Sequence, residues 1–204
     1  MSPVENDEPM RPFDPKDVLI VFALQIEAKR AFDDRNIVFS GIGKVNAAYR
    51  LTQALAYWQR RKNKLPRLVL NLGSAGSNHF GKGSIVNCTR FVQRDFDVTA
   101  LGHAPYLTPD EDLPVTLENG LRFSCFPEGV CGTGDNFATG GPRIDWNVVD
   151  MEAYALAKVC TYEKIAFGCL KYITDGGDDG AAESFAKNIA DTSLLLREAA
   201  DKIL

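Results

Sequence analysis

Three apolar runs, two of them closing on a Gly/Ser stretch or a lone acid, constrain this chain more than any other feature. They are DVLIVFAL (17–24), RLVLNLGSAGS (67–77) and KIAFGCLKYITD (164–175). Continuous Val, Leu and Ile without polar alternation mark strands buried on both faces. Such strands need helices above and below them, so the runs point to an α/β sheet. The intervening segments agree. QIEAKRAFDD reads as a short polar helix, and NIVFSGIGKVNAAYRLTQALAYWQ as a strand (Ile37–Ser40), a glycine turn and a helix over about Val45–Gln59. Ser84–Val92 and Leu121–Phe126 are further expected strands. Residues 181–204 are an expected closing helix with Phe185, Ile189, Leu194–Leu196 and Ala199 as candidate core contacts.

VVDMEAYALAKVC (148–160) is a strand end feeding a helix apolar nearly all round. A helix of that kind is normally buried, yet Glu152 sits in its first turn. The residues three and four positions away are Val148, Val149, Ala155 and Leu156, so no local cation pairs with it. Two readings stand. Glu152 emerges at the surface under the helix dipole, or it points into a pocket and accepts hydroxyl protons, as a carboxylate gripping a sugar does. Glu27 poses the same choice. It lies near the C-terminal end of the first strand, where ligands of open α/β sheets sit, but Lys29 and Arg30 follow it as they would on an exposed helix. Glycine turns are expected at Gly41–Gly43, around Ser74 at Gly73–Gly76, and over GVCGTGDNFATGG (129–141). Glycine lets a backbone approach a ligand closely, but none of these turns has Walker or Rossmann spacing.

Length and composition narrow the partners. The 204 residues fit one domain over 17–204, preceded by an acidic, proline-rich leader, 1–16, that is disordered or draped on the surface. A net charge of −4 argues against a nucleic-acid partner. No apolar run reaches the length of a membrane span. Five cysteines, odd in number and without a CxxC pair, fit reduced thiols in a cytoplasmic protein. His79 and His103 are far apart, which argues against a histidine metal site; no metal or cofactor is expected.

Glu27, Asp135, Glu152 and Asp175 all fall near expected strand ends or turns. With aromatics such as Phe137 and Phe185 they suit acid–base cleavage of a sugar–base bond. One group protonates the leaving base, one activates water and one holds the hydroxyls.

The segments FALQIEAKR, SGIGKVNAA, NLGSAGS, DVTALG, GTGDNF, DMEAYALAKVC and ITDGGDD occur in that order over about Val18–Phe185. Together they resemble the methylthioadenosine/S-adenosylhomocysteine nucleosidases of the nucleoside phosphorylase superfamily. The resemblance implies a three-layer α/β sandwich, its central mixed and twisted sheet flanked by helices. It also implies hydrolysis of the N-glycosidic bond of an adenine nucleoside such as 5′-methylthioadenosine or S-adenosylhomocysteine, releasing adenine.

The resemblance further assigns roles by position. Glu27 activates the attacking water, Ser74 positions substrate and that acid, and Asp175 protonates N7 of the leaving adenine. Glu152 binds the ribose hydroxyls and Met151 lies against the sugar. Phe137 stacks on the purine, and the Ala138 backbone reads its edge. Ile42, Val98, Leu101 and Phe185 line the site for the ribose or 5′ substituent, with Leu101 reaching into the partner subunit's site of a homodimer.

The chain departs from the family pattern in places. It is short between Glu27 and Ser40, lacks a helix over Pro114–Gly129, is abbreviated over Thr139–Val148, and has Leu101 where an aromatic is more usual. These cuts spare the carboxylates and open the pocket to a different or bulkier 5′ group. Two rivals stand beside the nucleosidase. One is a purine nucleoside phosphorylase holding phosphate with Arg90 or Arg94, although the acid at Glu27 would repel the dianion. The other is a non-catalytic nucleoside-binding protein, against which the joint presence of Glu27, Glu152 and Asp175 speaks.

Overall fold

The structure, a computed structural model, describes residues 13–136, 145–176 and 192–204. The strands are β1 (Val18–Phe22), β2 (Ile37–Phe39), β3 (Leu68–Gly76), β4 (Ile85–Gln93), β5 (Thr116–Leu117), β6 (Glu128–Thr133), β7 (Val148–Asp150) and β8 (Ala166–Asp175). The helices are α1 (Gln25–Ala28), α2 (Lys44–Lys62), α3 (Ala153–Glu163) and α4 (Thr192–Asp201).

All five residues of β1 are buried, and their period-2 alternation divides them between two cores. Leu19 and Val21 join Val69, Leu51, Leu55 and Trp58 of α2, and Leu156 of α3. Val18, Ile20 and Phe22 join Leu68, Leu70, Phe32, and Leu196 and Ala199 of α4. Helices therefore cover both faces of the sheet, giving the expected three layers. The sheet is mixed: β1 runs parallel to β2 and β3, and β3 parallel to β8, while β4 is antiparallel to β8 and parallel to β6. β7 continues parallel to β6 and meets β3 antiparallel at Val149 and Gly76. Strands β3, β8, β4, β6 and β7 thus pair in a closed ring, which gathers several strand ends around one space.

Several local expectations need correction. Gly73–Gly76 is not a turn but the buried end of β3. Leu121–Phe126 is not a strand: Phe123 plugs the core, and its N–H donates to the Asn87 side chain rather than to a ladder. The strand lies just beyond, in the stretch expected to be a glycine turn. Its glycines serve packing. A Cβ on Gly132 would stand 2.6 Å from the Trp146 ring, and one on Gly129 would stand 2.8 Å from Val86. Of the expected leader, residues 1–12 lie outside the described residues, whereas Phe13 is buried with the guanidinium of Arg67 over its ring. No helix among the described residues is long and apolar enough to cross a membrane.

Candidate active site

The C-terminal ends of β1, β3, β7 and β8 meet the glycine turn before α2 around one cavity. Its walls include Glu27, Ile42, Ser74, Met151, Glu152 and Asp175. Six of the expected site residues are therefore together, although they lie far apart in sequence.

Glu27 is carried on α1, a single turn that ends where Lys29 takes φ 45. It is 3 % exposed, so the exposed-helix reading fails. One carboxylate oxygen accepts the Leu24 N–H at 2.9 Å; the other accepts the Ser74 N–H at 2.8 Å and the Ser74 hydroxyl at 2.7 Å. These three donors satisfy the carboxylate in its buried position. A side chain on Gly73 would bring its Cβ within 3.1 Å of the same carboxylate, which is why β3 carries glycine there.

Asp175 ends β8 and is buried, with the Thr174 hydroxyl donating to its carboxylate at 2.8 Å. The β3–β8 register shifts between Ala75 and Gly76, so that Gly76 pairs with Asp175 and Thr174 is bulged out. In a regular strand, neighbours face opposite ways; the bulge lets both Thr174 and Asp175 line the cavity.

Glu152 is the residue capping α3, not an interior residue of its first turn. Its carboxylate does no capping. The Asp150 carboxylate instead accepts the Ala153 N–H at 2.9 Å, and the Thr133 hydroxyl accepts the Tyr154 N–H at 2.9 Å while donating to Asp150 at 2.6 Å. This frees Glu152 to face the cavity, where it accepts the N–H of Gly43 at 2.9 Å. Gly43 has φ 94, a conformation that suits glycine. The surface reading of Glu152 is thereby overturned. Burial and the neighbouring Asp150 carboxylate push its pKa up to about 7, against the opposing pull of Lys171 and the Gly43 N–H.

Sequence reasoning missed the pair beneath Glu152. Lys171, fully buried in β8, places its ammonium 2.8 Å from the Asp150 carboxylate, and both line the cavity. Burial would raise the Asp150 pKa, but the Lys171 ammonium outweighs it and holds the acid below its ordinary value. Burial likewise works against the Lys171 charge, and Asp150 reverses the effect, so its pKa stands well above the usual lysine range. A lone lysine inside an apolar strand was the available signal.

The remaining candidates divide. Arg94 lines the cavity, but its guanidinium donates to the Gly132 carbonyl and to the side chain and carbonyl of Asn136. Arg90 is exposed. Asp135 accepts the Lys44 N–H at 2.8 Å and does not line the cavity. Val98 caps a 3₁₀ turn, Thr99–Leu101, that Leu101 ends; neither residue lines the cavity, and Leu101 is 74 % exposed. Phe137, Ala138 and Phe185 lie outside the described residues.

Residues 31–204 match the family model of the phosphorylase superfamily. A 5′-methylthioadenosine/S-adenosylhomocysteine nucleosidase of Actinobacillus succinogenes is 32 % identical over 188 residues, covering 81 % of this chain and 76 % of the relative. A crystal structure of the Helicobacter pylori 5′-methylthioadenosine/S-adenosylhomocysteine nucleosidase superimposes with a TM-score of 0.77 at 18 % identity, covering 93 % of this chain and 97 % of that one. A futalosine hydrolase structure from Helicobacter pylori gives the same TM-score of 0.77, identity of 18 % and coverage of 93 % and 97 %.

Proposed function

Because the chain belongs to the 5′-methylthioadenosine/S-adenosylhomocysteine nucleosidase family of the phosphorylase superfamily, we propose that it hydrolyses the N-glycosidic bond of an adenine nucleoside such as 5′-methylthioadenosine or S-adenosylhomocysteine. The observation that carries this reading is the convergence of buried Glu27, Glu152 and Asp175 on one cavity.

In the proposed reaction, the bond breaks through an oxocarbenium-like transition state. The base gains a proton as the sugar gains positive charge. Asp175 in its acid form donates that proton to adenine N7. Glu27, anchored by Leu24 and Ser74, takes a proton from the attacking water. Glu152 accepts the ribose hydroxyls and, when ionised, binds the cationic sugar more strongly than the neutral substrate. Met151 and Ile42, which line the cavity, border the sugar.

Hydrolysis is preferred over phosphorolysis on electrostatic grounds. A phosphate dianion would approach the Glu27 carboxylate, and the described cations that line the cavity are already engaged, Arg94 with Gly132 and Asn136 and Lys171 with Asp150. A groove lined by Gly43, Val45, Asn46 and Asp135 shares Ile42 and Met151 with the cavity, which supports room for a bulkier 5′ substituent.

The proposal includes a homodimer. Ile42, Val45, Tyr49 and Leu101 are exposed apolar residues, as interface residues are in an isolated chain, and Leu101 would complete the partner subunit's site. The free thiols of all five cysteines fit a reducing, cytoplasmic setting. The activity is tested by chromatography of the products: free adenine from methylthioadenosine supports it, and intact nucleoside after prolonged incubation refutes it.

A further inference from the structure

Among the described residues, Lys171 is a fully buried charge at the cavity that the proposed chemistry does not use. It is 1 % exposed, projects from the middle of β8, and pairs with Asp150 two residues before Glu152. Burying an ammonium and a carboxylate together costs several kcal/mol in desolvation, and such a pair is often no more stabilising than apolar residues of the same size. Stability therefore gives little reason for it.

The location gives a better one. Asp150 is flanked by Lys171, the Thr133 hydroxyl and the Ala153 N–H, so it fixes the first turn of α3 and hence the direction of Glu152. Asp150 is also a negative charge beside an acid whose function requires it to be negative.

Resting on the nucleosidase reading, we propose that Lys171 is a positioning residue whose ion pair with Asp150 locks the start of α3 and supplies the positive charge that lets Glu152 ionise in a buried site. Without Lys171, Asp150 and Glu152 would be two buried carboxylates on one short segment, and one of them would keep its proton. The groups acting on Glu152 are Asp150 and Lys171, the Gly43 N–H before α2, and Glu27 on α1; Asp175 and Arg94 line the same cavity. Asp150 and Glu27 oppose ionisation, while Lys171 and the Gly43 N–H favour it. Of the two that favour it, Lys171 carries the formal charge.

The test reads Glu152 directly and needs no turnover. Protein carrying ¹³C at glutamate side-chain carboxyls is titrated by NMR without substrate, and Glu152→Gln identifies the Glu152 resonance. The expected result is a titration midpoint that rises by about one pH unit or more in Lys171→Met, stays near wild type in Lys171→Arg, and returns towards wild type in Asp150→Asn/Lys171→Met. If Lys171→Met does not fold, Asp150→Asn carries the test, with a midpoint expected to fall. A folded Lys171→Met, or a folded Asp150→Asn, whose Glu152 titrates as in wild type would overturn the proposal. Adenine release is measured separately, so a chain that cleaves no nucleoside would refute the nucleosidase reading and leave the charge relationship to be judged on the titration.

Discussion

Ser74 grips Glu27 twice, with its backbone N–H at 2.8 Å and its hydroxyl at 2.7 Å on the same carboxylate oxygen. The two donors differ in what mutation removes. Ser74→Ala deletes the hydroxyl and keeps the N–H, so Glu27 stays anchored but loses a charge-assisted hydrogen bond of about 1.5–3 kcal/mol. We expect turnover of methylthioadenosine to fall by roughly ten-fold or more, with little change in KM. Steady-state kinetics check this, and an unchanged kcat would show that the hydroxyl does not orient the acid.

Glu27 and Asp175 should fail in different ways. Glu27→Gln keeps the shape of the site but cannot take the proton of water, so hydrolysis should stop while calorimetry still detects nucleoside binding. Asp175→Asn keeps a hydrogen-bonding group but no acidic proton, so cleavage of a purine nucleoside should be lost with the fold intact by circular dichroism. Wild-type turnover in either variant would remove that residue from the mechanism.

Much of this site was readable in the sequence because acids in apolar surroundings stand out. Glu152 in a helix without a local cation and Glu27 at a strand end each left a pocket open beside a surface reading, and burial of both decides for the pocket. What stayed hidden depends on contacts between strands. GSAG and GVCGT look like turns, and only the packing of Gly132 against Trp146 reveals a strand. The bulge that aims Thr174 and Asp175 at one cavity is a register property of two paired strands, with no signature in either. Lys171 and Asp150 lie 21 positions apart, so their pairing required the fold.

Glycine 132 offers a test of that packing. In Gly132→Ala the new Cβ would meet the Trp146 ring at 2.6 Å, and the ring would have to move within the β6–β7 corner. Overpacking of this kind costs about 1–3 kcal/mol. Thermal melting should show a clear loss, and a melting temperature equal to wild type would mean that Trp146 repacks freely.

Glu152 ties stability to pH. Its folded pKa of about 7 lies above the ordinary 4.5, chiefly through burial and then Asp150. The folded state therefore holds this proton more tightly. The stabilisation is full below about pH 4.5 and is lost as pH rises through about 7. Glu152→Gln, which cannot ionise, should then be more stable than wild type at pH 8, by on the order of 3 kcal/mol at most, with the difference shrinking towards pH 5. Denaturant titrations at both pH values measure it. A gap that widens on acidification would reverse the assigned sign.

Hydrolysis of an adenine nucleoside is tested by adenine release from methylthioadenosine in phosphate-free buffer and again with added phosphate. Equal release is expected in both, with free methylthioribose as the second product. Release that appears only with phosphate and yields a sugar phosphate would contradict it, as would no release from methylthioadenosine or S-adenosylhomocysteine.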